Sequence, residues 1–300
     1  MSDSESLLEM FRTILATVLL AEPALGVING HSASPSETRS LVRLTSTFPH
    51  FDHEQAICGG VLISQNALLT AAHCVYDRNV HSALVTLTLS SYHPKAPKKV
   101  SIQFSKAVNI HSDFSELSRG DPDMAIVYLS HPFKCEAKYG PEVARLPFQV
   151  AKKGRYITWS NPISDKEIYD ANCFATGWGI TKNGTFATTP QRINLQLVQD
   201  ELNGLIGYPV EDNIRACQGD SGSPVYCHIS GIKYLIGIIT DIGSFKSEIP
   251  ISKGKLECEL YDFVLISDIR KNAVEIGKIL RSRGQSNELV ISQSKCLKDH

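Results

Sequence analysis

The chain predicts an all-β protein, and three observations carry that prediction. Short apolar runs are separated by turn residues rather than by amphipathic stretches. Residues 83–90, Ala-Leu-Val-Thr-Leu-Thr-Leu-Ser, alternate with period two, as a half-buried strand does. Helical spacing recurs only near the end, where Ile269, Ala273, Ile276 and Leu280 form one apolar face. Many short strands with turns between them imply a barrel or a sandwich.

Taken in order, the strands read as follows. Residues 58–64 and 67–70 are two short apolar strands ahead of the 83–90 strand. Residues 193–199 alternate. Residues 225–228 and 233–240 flank Ser230-Gly231 and read as a hairpin. Ser267 is placed to cap the closing helix. Residues 156–168 read as a surface insertion without an assigned role.

Composition narrows the function classes. The chain has 300 residues and a formal net charge of −1, so neither nucleic acid nor an anionic membrane surface is implied as partner. Eight cysteines, with no C-x-x-C and no zinc-knuckle spacing, argue for disulfides and an oxidising compartment. His50-Phe51-Asp52-His53 lacks the glutamate of a zincin helix and is not read as a metal site.

Residues 1–26 read as a secretory address. Arg12 precedes an apolar run over 14–21 that is too short to span a bilayer, and Ala24-Leu25-Gly26 places small residues where a signal peptidase inspects. Residues 1–9 are polar and acidic, which is atypical, and Met10 is an alternative start.

Three motifs carry chemistry. Gln218-Gly219-Asp220-Ser221-Gly222-Ser223-Pro224 sets a serine between glycines. A serine alcohol needs a base to take its proton and donors for the oxyanion it creates. The flanking glycines let the amides of Gly219 and Ser221 point at one spot, although a plain Gly/Ser turn has the same composition. Leu69-Thr70-Ala71-Ala72-His73-Cys74 offers histidine, the natural general base near neutral pH. Asp121-Pro122-Asp123-Met124-Ala125-Ile126 leads an aspartate into an apolar strand, which is costly unless a donor or a cation awaits it. Asp123 is the candidate, with Asp121 in the preceding turn as the alternative.

These motifs resemble the G-D-S-G-G-P, T-A-A-H-C and D-I-A-L signatures of the trypsin/chymotrypsin family of serine proteases, with Ser223 in place of the second glycine. The order His, Asp, Ser agrees with that family. Cys173-Phe174-Ala175-Thr176-Gly177-Trp178-Gly179 and Val27-Ile28-Asn29-Gly30 match two more of its strings, and the resemblance runs over residues 27–281. It implies two six-stranded antiparallel β-barrels packed together, a linker near 141–150 and a C-terminal helix. It implies His73, Asp123 and Ser221 as catalytic residues and the Gly219 and Ser221 amides as oxyanion hole. It also implies that the freed amine of Val27 pairs with Asp220. The implied disulfides are Cys58–Cys74, Cys173–Cys227 and Cys217–Cys258. Cys135 and Cys296 have no family counterpart and are left to pair with each other.

The resemblance further implies an extracellular, monomeric endopeptidase that needs no cofactor or metal and meets protein substrates and protein inhibitors. Gly26, rather than Arg or Lys, precedes Val27, so signal peptidase cutting after Gly26 would release an active enzyme, whereas cutting after Ala21 would leave a five-residue pro-segment. Asn183-Gly184-Thr185 is a glycosylation sequon.

The substrate pocket departs from the family. Arg215 stands where trypsins carry aspartate, and Thr240-Asp241-Ile242 replaces S-W-G, with Ile242 and Tyr261 narrowing the pocket. Arg215 either favours an acidic side chain or folds onto an internal acid such as Asp262 or Asp241. An insertion between Gly243 and Cys258, with Pro250 and Lys255, lies near the rim. A homologue that kept the fold as a binding module without proteolysis is the rival reading.

Overall fold

Alternation along the chain becomes two seven-stranded antiparallel sheets and a separate two-stranded hairpin in the computed structural model, which describes residues 27–48, 54–76, 84–91, 98–104, 108–115, 122–129, 132–133, 141–153, 156–160, 163–200, 204–244 and 257–282. The first half gives β2 (Leu41–Phe48), β3 (Glu54–Ser64), β4 (Ala67–Thr70), β5 (Leu84–Ser91), β6 (Lys98–Phe104), β7 (Val108–Ile110) and β8 (Ala125–Tyr128). Ahead of them lie β1 (His31–Ser32) and the one-turn helix α1 (Pro35–Thr38). Next come the hairpin of β9 (Gln149–Lys153) and β10 (Tyr156–Ser160) and the short helix α2 (Asp165–Tyr169). The second half gives β11 (Asn172–Gly177), β12 (Gln191–Gln199), β13 (Leu205–Pro209), β14 (Pro224–Ile229), β15 (Ile232–Gly243) and β16 (Phe263–Asp268), followed by helix α3 (Ala273–Ser282).

The second half closes. Its order is β12-β11-β14-β15-β16-β13, and β13 returns to pair with β12, so six strands form a barrel with β1 added at β12. This is one of the two expected six-stranded barrels. The first half runs β6-β5-β2-β3-β4-β8-β7, seven strands without a closing ladder among the described residues.

Strand parity explains how the halves join. In the first sheet Val61, Ile63, Leu69 and Ile126 face one apolar cluster, while Leu62, Leu68, Ala125 and Val127 face another. In the barrel Phe174 and Tyr226 turn outward to the first cluster, while Cys173, Ala175, Val225 and Cys227 line the interior. The side chains between the halves therefore form one shared core. Ile269, Ala273, Ile276 and Leu280 of the closing segment complete it, each buried as their spacing predicts. Ser40 Oγ meets Tyr226 Oη across the junction at 2.5 Å, and burial pushes the Tyr226 phenol well above its usual range.

Three cysteine pairs are bridged as expected: Cys58–Cys74, Cys173–Cys227 and Cys217–Cys258. Cys135 and Cys296 lie outside the described residues, as do residues 1–26, His50, His53, Asp121, Pro250 and Lys255.

One local expectation changes. Ser267 is not a helix cap. It lies in β16 opposite Ile238, because the barrel ladder holds this backbone through Asp268. The helix starts only after Arg270, which is clamped on Asp268 at 2.6–3.0 Å and on Asp165 at 2.8 Å. Residues 156–168, read as an insertion, contain β10 and the start of α2. Ser164 caps α2 by accepting from Glu167 N at 3.3 Å while Glu167 Oε2 takes Ser164 N at 2.7 Å, and Ile168 is buried against the barrel interior.

Candidate active site

β4 and β8 decide where His73 and Asp123 stand. They pair antiparallel, with Thr70 opposite Ala125. His73 follows Thr70 on a single 3-10 turn, Ala72–Cys74, and Asp123 precedes Ala125, so both emerge at the same end of the pair. Asp123 holds the histidine twice: Oδ1 accepts from His73 N at 2.9 Å, and Oδ2 lies 2.5 Å from Nδ1. A carboxylate only accepts, so the proton sits on Nδ1; the Nε2 lone pair lies 3.6 Å from Cys74 Sγ, a disulfide sulfur with no proton to give, and can take one. The imidazole is 41 % exposed, so that lone pair is reachable from solvent. Cys58, His73 and Cys74 bring their sulfur and nitrogen atoms within 4.8 Å of one another, but both sulfurs belong to the disulfide and offer no thiolate.

Ser221 is held to β3, the strand paired with β4 on its other side. Its carbonyl accepts from Gly59 N of β3 at 2.7 Å. Gly222, at φ +78°, presses so close that a Cβ there would lie 2.3 Å from Gly59 O and 2.4 Å from Thr70 Oγ1. Thr70 Oγ1 itself donates to Gly59 O at 2.8 Å. The loop from the barrel thus rests on β3 and on the end of β4 that leads to His73. Within the loop, Asp220 N donates to Cys217 O and Ser223 N to Asp220 O, both at 3.0 Å. The amides of Gly219 and Ser221 have no acceptor among the described residues.

Asp220 is the buried charge of the loop, 1 % exposed. Gly179 N donates to it at 2.8 Å and Cys217 N at 3.0 Å. Gly179 is required by this approach, since a Cβ would lie 2.3 Å from the carboxylate. Burial raises its pKa from the ordinary 3.8 to about 6, and the two amide bonds oppose that rise. No cation pairs with it among the described residues. Val27, the residue expected to supply one, is buried in the barrel core at φ +54°. Ile28 exchanges two backbone bonds with Arg215, at 2.8 and 3.1 Å, and packs on the Cys217–Cys258 bridge.

The expected pocket residues gather around that bridge only in part. Ile242 and Tyr261 pack against Ile28, Cys217 and Cys258, whereas Thr240 Oγ1 donates to Leu265 O at 3.3 Å. Arg215 pairs with neither acid considered for it. It donates to Ile214 O at 2.7 Å, and its buried Nε has no partner among the described residues. Asp262 accepts from Ser244 Oγ and Asp241 from Ile242 N, both at 2.8 Å. Asn183 is exposed in a turn between Ile180 and Phe186.

The Trypsin family model matches residues 27–250. The chain belongs to the trypsin family. It is 26 % identical over 225 residues to an Ovochymase from Halocynthia roretzi, a match that covers 70 % of this chain and 13 % of that protein. The chain therefore spans a small fraction of the curated relative's length. It also superposes on a solved structure titled HL collagenase with a TM-score of 0.59 at 21 % identity, covering 85 % of this chain and 99 % of that one. That likeness shows the trypsin-like fold. Among the described residues no helix is long and apolar enough to cross a membrane.

Sequence reasoning missed Gly59 and Thr70 as supports of the trypsin-family site. Their signal was present in Cys58-Gly59-Gly60, where two adjacent glycines in a strand mark a close backbone approach.

Proposed function

We propose that this trypsin-family chain is a secreted serine endopeptidase. His73 Nε2 takes the proton of Ser221, whose alkoxide attacks the peptide carbonyl. Asp123 keeps the imidazole in the Nδ1–H tautomer and stabilises the imidazolium. The Gly219 and Ser221 amides receive the oxyanion. His73 then returns the proton to the leaving amine, and water repeats the sequence on the acyl-enzyme. The observation that carries this reading is the double hold of Asp123 on His73, at 2.9 Å to the amide and 2.5 Å to Nδ1.

Maturation follows the same logic. Residues 1–26 act as the signal and leave Val27 as the new N-terminus. Its amine supplies the cation that buried Asp220 lacks, and the pairing orders the loop carrying the two amides. Residues 27–300 form the peptidase domain, its lobes meeting near 141–150. Asn183, exposed on its turn, takes an N-linked glycan during secretion.

Hydrolysis of casein by the processed chain tests the reading, with Ser221→Ala as control. Cleavage by the wild type alone is expected. A correctly processed wild type that cleaves no more than Ser221→Ala would favour the non-proteolytic binding module.

A further inference from the structure

The Gly219 amide, one of the two assigned above to the oxyanion, is aimed from behind. The peptide joining Gln218 to Gly219 is trans, so its carbonyl and its N–H point opposite ways. Ile180 N donates to Gln218 O at 2.8 Å and so turns the Gly219 N–H away from Ile180. No described residue accepts that N–H.

Ile180 opens a tight turn that carries a half-buried aromatic ring back to the same glycine. Ile180 and Phe186 form an antiparallel bridge. Thr181 N donates to Thr185 O at 2.8 Å, and Ala187 N to Gly179 O at 3.1 Å. A Cβ on Gly219 would lie 2.8 Å from Phe186 Cε1, 3.1 Å from Phe186 Cδ1 and 3.1 Å from Gly179 Cα. Gly219 is therefore wedged between the ring and Gly179. The ring has its own support in the first-half sheet, where the guanidinium carbon of Arg43 in β2 stands 5.8 Å from its centroid. A guanidinium at that range is attracted to the ring face. The Arg43 side chain makes no hydrogen bond or ion pair among the described residues, so the ring is the partner it has there.

We infer that Phe186 is a positioning residue for the Gly219 amide, held in turn by Arg43. This rests on the endopeptidase reading above and adds to it a residue outside the three motifs. With the ring in place, Gly219 stays against Gly179 and the Ile180–Gln218 bond stays formed. Without it, the Gln218–Gly219 peptide is free to turn about its flanking single bonds, and the N–H swings off its aim. The cost falls on the transition state, which carries the oxyanion, and not on binding of the uncharged substrate. Loss of one oxyanion donor lowers kcat by about 10²- to 10³-fold, so a donor misaimed part of the time costs about tenfold.

The test is peptide hydrolysis by the processed wild type, Phe186→Ala, Phe186→Leu and Arg43→Gln. Phe186→Ala is expected to lower kcat about tenfold with KM within about twofold, and Phe186→Leu, which keeps an apolar contact, to recover all but about threefold. A peptidyl trifluoromethyl ketone, whose adduct carries the oxyanion, should bind Phe186→Ala more weakly by the same factor as kcat/KM falls. An unchanged kcat, a loss confined to KM, or a ketone affinity that does not move overturns the inference. Should Phe186→Ala fail to fold, Arg43→Gln decides: a kcat lowered about threefold at constant KM upholds it, and an unchanged kcat overturns it. Fluorophosphonate labelling separates the two readings, because a wild type that takes no label overturns the endopeptidase reading. Hydrogen exchange at the Ile180 amide then decides the positioning alone. Exchange about tenfold faster in Phe186→Ala than in wild type upholds it, and equal exchange overturns it.

Discussion

The first-half sheet and the closed barrel hold their shares of the site differently. The first-half sheet presents His73 and Asp123 from a strand pair buried on both faces, and Asp123 grips both the backbone and the ring of the histidine. No maturation step is needed for that geometry. The barrel presents Ser221 on a turn wrapped around a buried carboxyl whose partners among the described residues are two amides. The proposed base is thus held in place by folding alone, whereas the loop of the proposed nucleophile encloses a carboxyl that a new cation would stabilise.

Perturbing the two halves should separate these properties. The largest effect is expected in the first-half sheet. Asp123→Asn would lower peptide hydrolysis about 10⁴-fold, because the wrong tautomer of His73 is then favoured. Circular dichroism should show its fold unchanged. In the barrel, Gly222→Ala would set a methyl against Gly59 O at a backbone φ of +78°. Chemical denaturation should report a loss of about 3 kcal/mol, with hydrolysis falling as Ser221 is displaced.

Asp220 gives the comparison a sign. Its folded pKa of about 6 exceeds the ordinary 3.8, so the folded chain keeps a proton that the unfolded chain has released. Stability therefore falls as pH rises from about 4 to 6 and stays lower above that window. In the unprocessed chain, Asp220→Asn should remove this fall between about pH 4 and 6, because a carboxamide does not titrate, while giving up one of the two amide hydrogen bonds, because its NH2 accepts nothing. In the processed chain the same change should destabilise at pH 7.5, because it removes the partner of the Val27 amine. Unfolding curves of the two forms check both directions. The smallest effect is expected on the surface. Asn183→Gln should abolish a glycosidase-sensitive mass on the secreted chain and shift stability by less than about 0.5 kcal/mol.

Much of this architecture was legible in the sequence, for physical reasons. Period-two alternation marked β5 and β12, and Ser230-Gly231 marked the turn between β14 and β15, where both residues take positive φ. His73, Asp123 and Ser221 stood out because each needs small or apolar neighbours of a specific kind. Other features depend on partners far along the chain. Ser267 had a capping residue's chemistry, but the β15–β16 ladder outweighed it. The capping box Ser164-Asp165-Lys166-Glu167 was readable as a helix start, and the surrounding insertion concealed it. Arg215 could not be assigned from composition, because its contact is the carbonyl of its own neighbour, Ile214.

Site-mapped labelling tests the central claim most directly. The processed chain is treated with a fluorophosphonate, digested and read by peptide mass spectrometry. The account predicts one adduct on Ser221 in the wild type and almost none in His73→Ala. An adduct on a different serine, or equal labelling of Ser221 without His73, would contradict it.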